Sequence, residues 1–254
     1  MTNKHVSFCP PDNSPLYSSG QEEDYWCVLP AAGIGQRMGG NVPKQYLSLG
    51  AMTVLEHTLS ILLSIKQLAG IVVVIHPDDQ YWSSLPVSQH TNIHTVYGGE
   101  KRCDSVLAGL RYLQNILSDR TWILVHDAAR PCILAATIEL LIDTLKTDDV
   151  GGILAVPSKD TLKQLVIHPE SSPTIEQTLD RNRVWQAQTP QLFRYHILLS
   201  SLTAQLTQGV SVTDEASAVE AMGYRVNIIK GSHDNIKITY PHDLTLAQTI
   251  LAER

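Results

Sequence analysis

The sequence predicts an α/β fold, a doubly wound and mostly parallel Rossmann-like sheet with a β-hairpin arm protruding from it. Three observations predict it. From Tyr25 onward, apolar strand-like runs alternate with stretches of helical period, the order that packs helices on both faces of a sheet. Runs such as 71–75 and 122–125 are apolar throughout, the pattern of strands buried on both faces. The alternation breaks after Pro157, where two short alternating segments flank the turn-rich stretch 169–173, and this reads as a hairpin leaving the sheet.

Each element follows from its residues. The first strand is 25–30, followed by a Gly-rich loop to Lys44. Thr53-Val54-Leu55-Glu56 is a capping box that opens a helix through Leu55, Leu59, Leu62 and Leu63. Strands at 71–75 and 93–97 come next, then a helix carrying Val106, Leu110, Leu113 and Leu117, a strand at 122–125, a helix around 138–145 and a strand at 152–156. The arm covers about 158–184, and a hairpin outside a sheet needs a partner surface. The ending returns to α/β, with a helix over 194–206, another opening at Thr213-Asp214-Glu215, a strand at 225–229 and a helix after Pro241. Residues 25–254 therefore read as one domain, and 1–24, polar and proline-bearing, as a flexible tail.

Composition removes several classes. Hydrophobic residues make up 43% and charged residues 17% of the 254, which excludes disorder. With 19 Lys and Arg against 25 Asp and Glu, a formal charge of -6, the chain has no nucleic-acid footprint. No apolar run reaches the roughly 20 residues that span a bilayer. Cys9, Cys27, Cys103 and Cys132 are widely spaced, which fits a reduced, cytoplasmic protein. His90 and His94 have metal-ligand spacing on a helix but lack a third ligand, and we discard them as a metal pair.

The chemistry concentrates in the glycine loop. Pro30-Ala31-Ala32-Gly33-Ile34-Gly35-Gln36-Arg37-Met38-Gly39-Gly40 follows a strand, where small residues let backbone N–H groups approach a phosphate or a base. Met38 stands where a dinucleotide fingerprint needs Gly, which disfavours a hydride-transfer enzyme. Asn41 and Val42 stand where a P-loop needs Lys and Ser or Thr. What remains is a small-residue loop flanked by Arg37 and Lys44, a pair suited to a polyphosphate, with a solvated turn as the bland alternative.

The stretch P-A-A-G-x-G-x-R-M followed by P-K-Q resembles nucleotidyltransferases of the sugar-phosphate type, most closely the 2-C-methyl-D-erythritol 4-phosphate cytidylyltransferase family of non-mevalonate isoprenoid synthesis. Other segments agree in order: Gly98-Gly99-Glu100-Lys101-Arg102, His126-Asp127-Ala128-Ala129-Arg130-Pro131, Asp160-Thr161, Asp180-Arg181-Asn182, Thr189-Pro190-Gln191, Thr213-Asp214-Glu215-Ala216 and Asp234-Asn235-Ile236-Lys237. The resemblance covers about 25–254.

It implies transfer of CMP from CTP to methylerythritol 4-phosphate, with Arg37, Lys44 and Lys237 as the catalytic cations. It places CTP against Pro30, Ala31, Ala32, Gly33, Gly35, Gly99, Arg102 and Ser105, and the acceptor against Asp127, Arg130, Thr161, Arg181 and Thr189. Read bare, Asp127 is a metal ligand or a hydrogen-bond acceptor, Arg130 a structural ion pair or a substrate contact, and His126 a packed strand-end histidine. The resemblance further implies Mg²⁺ held mainly by the CTP phosphates, no protein metal centre, and a homodimer whose arms complete each other's sites. The rival acceptor is another polyol phosphate such as ribitol 5-phosphate. A binding protein that lost catalysis is the competing class, and retention of all three cations argues against it.

Overall fold

A computed structural model describes residues 24–33, 42–119, 121–167 and 172–254. Along the chain run β1 (Tyr25–Pro30), the short pair β2 (Ser48–Leu49) and β3 (Met52–Thr53), α1 (Val54–Ser64), β4 (Leu68–Ile75), β5 (Ile93–Tyr97), α2 (Arg102–Leu113), β6 (Trp122–Val125) and α3 (Ala135–Leu145). The second half adds β7 (Gly151–Pro157), β8 (Lys163–Val166), β9 (Thr174–Thr178), β10 (Trp185–Arg194), α4 (Tyr195–Thr207), α5 (Glu215–Ala221), β11 (Asn227–Lys230) and α6 (Pro241–Ala252). No described helix is long and apolar enough to cross a membrane. The tail 1–23 lies outside the described residues.

Seven strands form the main sheet in the order β11-β7-β10-β6-β1-β4-β5. The chain builds outward from β1 through β4 to β5, then returns to lay β6 on the other flank of β1, and all these neighbours pair in parallel. The carboxyl ends of β1 and β6 thus meet where the winding reverses, the place at which open α/β sheets bind ligands.

Alternation along β1 divides the core between two faces. Cys27 and Leu29 pack with Leu55, Leu59 and Leu62 of α1 and Ile138 and Leu141 of α3. Trp26 and Val28 face the other way, onto Val106 and Leu110 of α2 and Leu198 and Leu202 of α4. The Thr53 capping box that opens α1 is present as the sequence predicts. The Glu56 carboxylate accepts from the Thr53 N–H at 2.8 Å, and Thr53 Oγ1 accepts from the Glu56 N–H at 3.2 Å. Helix α2 begins at Arg102 and ends at Leu113, so Leu117 lies beyond it. His94 stands on β5, not on a helix, with Nδ1 2.9 Å from the Tyr112 hydroxyl.

The principal departure from the sequence reading is β10, which sits in the middle of the sheet and runs antiparallel to both β6 and β7. Residues 185–194 carry three glutamines and Pro190, and a proline argues against a central strand because it cannot donate to the ladder. The structure resolves the conflict with an irregularity. Pairing to β7 is interrupted between Ala187 and Gln191, and pairing to β6 begins only at Gln191. Such a bulge re-aims the residues it contains: Thr189 turns toward the carboxyl end of β6, and Gln188 toward the segment after β11, its amide donating to the Ser232 carbonyl at 2.8 Å.

Just before β10, β8 and β9 pair antiparallel as a separate ribbon, and every residue of both strands is exposed.

Phe193, fully buried on β10, anchors this strand against the α2 and α4 face. Phe193→Ala is expected to cost about 3–5 kcal/mol of stability through lost burial and a cavity, read as a lower urea midpoint by tryptophan fluorescence.

Candidate active site

A cavity of about 650 Å³ opens at the carboxyl edge of β1, β5 and β6. One wall is main chain. Pro30, Ala31, Ala32 and Gly33 leave the end of β1, and Gly99 with Ser105 comes from the β5–α2 junction. The Ser105 and Ala32 side chains can close on this junction because Gly98 has none. A Cβ at Gly98 would stand 2.5 Å from Ser105 Oγ and 2.8 Å from Ala32 Cβ.

Gln45, nearly buried at the cavity's edge, fixes the path of this wall. Its amide donates to the carbonyls of Ala31 at 2.6 Å and Gly33 at 3.0 Å. Its neighbour Tyr46 is held in turn, donating from its hydroxyl to Asp79 Oδ2 at 2.7 Å. The sequence offered Gln45 only as part of P-K-Q. Its contact with carbonyls 12 and 14 residues away is a tertiary fact that no local pattern carries.

The other wall is charged. Asp127, two residues past the end of β6, is only 5% exposed and is ringed by three cations. Arg102 Nε donates to Oδ1 at 2.8 Å, Lys237 Nζ stands 2.8 Å from Oδ2, and Arg130 Nε stands 3.5 Å from the same oxygen. Burial pushes the Asp127 carboxyl up, but Arg102, Lys237 and Arg130 outweigh it and hold the pKa well below the usual carboxylate value.

Arg102 also grips the fully buried Glu215 with both terminal nitrogens, at 2.7 and 3.0 Å. Burial opposes its charge, and Glu215 and Asp127 more than restore it, so the guanidinium stays protonated. Lys44 reaches across from the glycine-loop side, donating to the carbonyl of Ile238, next to Lys237.

Beneath the cluster, the bulge in β10 turns Thr189 toward Asp127. The Thr189 hydroxyl oxygen accepts from the Asp127 N–H at 3.0 Å and lies 3.0 Å from His126 Nδ1. His126 Nε2 faces the Arg130 carbonyl at 3.3 Å, and a carbonyl can only accept, so Nε2 carries the proton and Nδ1 accepts from Thr189. Burial drives the His126 pKa down to about 4, overriding the opposing pull of Asp127.

The structure therefore brings together at the cavity Pro30, Ala31, Ala32, Gly33 and Lys44 from the front of the chain, and Gly99, Arg102, Ser105, Asp127 and Lys237 from later segments. Arg130 and Thr189 stand behind Asp127 rather than on the cavity wall. Arg130 donates to the Asn235 carbonyl at 2.6 Å, and the Thr189 hydroxyl is engaged by the Asp127 N–H and the His126 imidazole. Thr161 and Arg181 are exposed on the arm, away from the lining. Gly35 and Arg37 lie outside the described residues. Glu215, within the T-D-E-A segment, carries no role in the sequence because it meets Arg102 from 113 positions away.

A doubly wound sheet whose carboxyl edge holds a main-chain cleft facing clustered Lys and Arg is suited to a phosphate-bearing ligand. Comparison with known proteins sharpens this. The family model of IspD, 2-C-methyl-D-erythritol 4-phosphate cytidylyltransferase, matches residues 26–253. The protein of that name from Pseudomonas syringae pv. syringae is 48% identical over 221 residues, 87% of this chain and 92% of its own length. That from Tolumonas auensis is 45% identical over 91% of this chain and 98% of its own. Among solved structures, a 4-diphosphocytidyl-2C-methyl-D-erythritol synthase superposes with a TM-score of 0.77 at 35% identity, covering 91% of this chain and 100% of that one. The Francisella tularensis 2-C-methyl-D-erythritol 4-phosphate cytidylyltransferase superposes with the same score at 34% identity, covering 89% and 99%. The chain belongs to the 2-C-methyl-D-erythritol 4-phosphate cytidylyltransferase family.

The His126 geometry is open to direct measurement. Long-range proton–nitrogen spectra should find a neutral ring with the proton on Nε2 at pH 6, titrating near pH 4. Because the folded pKa lies below the value of about 6.5 for free histidine, the unfolded chain binds the extra proton first. This group's stabilisation is therefore complete above about pH 6.5 and declines as pH falls toward 4. A ring titrating near 6.5 would contradict the burial described.

Proposed function

We propose that this site transfers the cytidylyl group of CTP to 2-C-methyl-D-erythritol 4-phosphate, giving 4-diphosphocytidyl-2-C-methyl-D-erythritol and pyrophosphate in isoprenoid precursor synthesis. The observation that carries the reading is the convergence of Lys44, Lys237 and the Arg102–Asp127 pair, backed by Arg130, on a cleft walled by main chain, in a chain of this family.

An oxygen of the 4-phosphate attacks the α-phosphorus, a new P–O bond forms, and the bond to the bridging oxygen breaks, with pyrophosphate leaving on its electron pair. The attacking phosphate has a second pKa of about 6 and is already ionised at neutral pH, so no side chain need remove a proton. The barrier is the approach of two anions and charge growth around phosphorus, which fixed cations relieve.

Lys237, held on Asp127 but more than a third exposed, presents its ammonium to the incoming phosphate. Lys44, tethered to the Ile238 carbonyl, faces the triphosphate from the glycine-loop side, and Arg37 acts there on the strength of its position in the loop. The main chain of Ala31–Gly33 and Gly99 takes the nucleoside. Ser105 Oγ, pointing to the Lys101 carbonyl at 3.2 Å, closes that pocket.

The donor set fits a divalent ion that arrives with the triphosphate. Both oxygens of Asp127 are taken by nitrogen cations, and Mg²⁺ commonly binds through substrate phosphates with few carboxylates. When bound, Mg²⁺ neutralises the triphosphate and withdraws charge from the α-phosphoryl group.

A homodimer with shared sites is supported by the arm. A two-stranded ribbon is marginal by itself in water, and Leu165, Val166, Ile167 and Ile175 are all exposed on it. A second copy covering these side chains would bring Thr161 and Arg181 to the neighbouring cleft. Cytoplasmic residence is supported by Cys27, Cys103 and Cys132, all free and buried.

Pyrophosphate release with CTP and Mg²⁺ tests the reaction. We expect it with methylerythritol 4-phosphate and not with ribitol 5-phosphate or without acceptor; release with ribitol 5-phosphate alone would move the acceptor assignment. Lys237→Ala and Arg37→Ala should each lower kcat by about 10²–10³-fold, the usual cost of removing a transition-state donor, in protein whose circular dichroism is unchanged. For the shared site, mixing Arg181→Ala with Lys44→Ala subunits should restore partial activity through hybrid dimers. Absence of recovery with demonstrated subunit exchange would make each site self-contained.

A further inference from the structure

Glu215 is a carboxylate with no exposure at all, and it does not line the cavity. Taking an ion pair out of water costs about as much as the pair returns, so a buried pair is poor evidence of a stability device. What it does achieve is geometric. The Arg102 guanidinium has five N–H groups in a rigid fork. Two nitrogens are committed to Glu215, at 2.7 and 3.0 Å, and only the third reaches Asp127, at Oδ1.

Asp127 Oδ2 is thereby left to Lys237 at 2.8 Å and Arg130 at 3.5 Å. A guanidinium favours a two-pronged grip on a carboxylate. Released from Glu215, the fork could turn that grip onto Asp127, cover both oxygens and dislodge the lysine.

The start of α5 is secured to match. Asp214 Oδ1 accepts from the Ser217 N–H at 2.9 Å. Gln191 of β10 donates from Nε2 to Asp214 Oδ2 and accepts at Oε1 from the Ala216 N–H, both at 2.9 Å. Gln191 lies two residues from Thr189, which receives the Asp127 N–H. One strand thus holds the backbone beside both carboxylates that Arg102 binds.

We propose that Glu215 is a positioning residue for the acceptor phosphate: by holding the Arg102 fork away from Asp127 Oδ2, it keeps Lys237 at the cleft mouth. This rests on the cytidylyl-transfer reading above. It follows that Glu215 governs the acceptor side of the reaction more than the nucleotide side, since the main-chain wall of Ala31–Gly33 has its own support in Gln45.

The test is steady-state kinetics of Glu215→Gln and Glu215→Asp beside wild type, with CTP and methylerythritol 4-phosphate varied separately well below each protein's unfolding midpoint. Glu215→Gln keeps the volume and removes the charge. It should raise KM for the acceptor at least tenfold while KM for CTP stays within threefold. Glu215→Asp keeps the charge on a shorter stem and should recover part of that loss, and it decides the matter alone if Glu215→Gln does not fold. Acceptor and CTP KM values all within threefold of wild type, a loss confined to CTP, or a fall in kcat matched only by the lost folded fraction would each overturn the role. Wild-type protein that releases no pyrophosphate with this acceptor would overturn the reaction itself, a result distinct from an active wild type with unaltered variants.

Discussion

Asp127 is a carboxylate withdrawn from water at the end of β6, and the cleft is organised by the need to compensate that charge. A lone buried carboxylate would take up a proton. Arg102, Arg130 and Lys237 prevent this, and each arrives on a different piece of chain. Arg102 opens α2, Arg130 follows β6, and Lys237 follows β11. The attraction that keeps the carboxylate ionised therefore gathers three segments at the reversal point of the sheet. It also leaves a surplus of positive charge facing the cavity. Asp127 does not need to touch phosphate to matter, because it sets where the cations stand.

The antiparallel strand β10 is the second element on which this depends. An all-parallel sheet would place only strand ends at the cleft. β10 instead passes the β6 carboxyl end with its bulged middle, so Thr189 can receive the Asp127 N–H while Gln191 secures α5. The interruption around Pro190 supplies the first contact, and Gln191, where the ladder resumes, supplies the second. Val125 and Gln191 pair normally immediately beyond it, which confines the irregularity to the residues that serve the site.

Much of this was legible in the sequence because the relevant signals are local. The continuous apolar runs gave β4 and β6, the Thr53–Glu56 pair gave the start of α1, and the small-residue stretch after β1 marked the main-chain wall. Where information lay in contacts between distant segments, it was invisible. Residues 185–194 do not read as a central strand because Pro190 and three glutamines violate the pattern of one, and only the bulge reconciles them with that place. Glu215 and Gln45 look like ordinary polar residues until the fold sets one against Arg102 and the other against the Ala31 carbonyl. Thr189, which the family resemblance marks as an acceptor contact, receives the Asp127 N–H and lies against His126, a pairing no local pattern carries.

The central position of β10 also has a consequence for how the chain is made. Its partners β6 and β7 end at Val125 and Pro157, while β10 begins at Trp185. At about 5–20 residues per second, the ribosome needs roughly 3–12 s to add the sixty residues between Val125 and Trp185. During that interval the nascent half-sheet β5-β4-β1-β6 ends in an unpaired and wholly apolar edge, a template for mispairing with other chains. Demand on holding chaperones should therefore peak late in synthesis, when most of the sheet already exists, and fall once the strand that closes the gap leaves the exit tunnel.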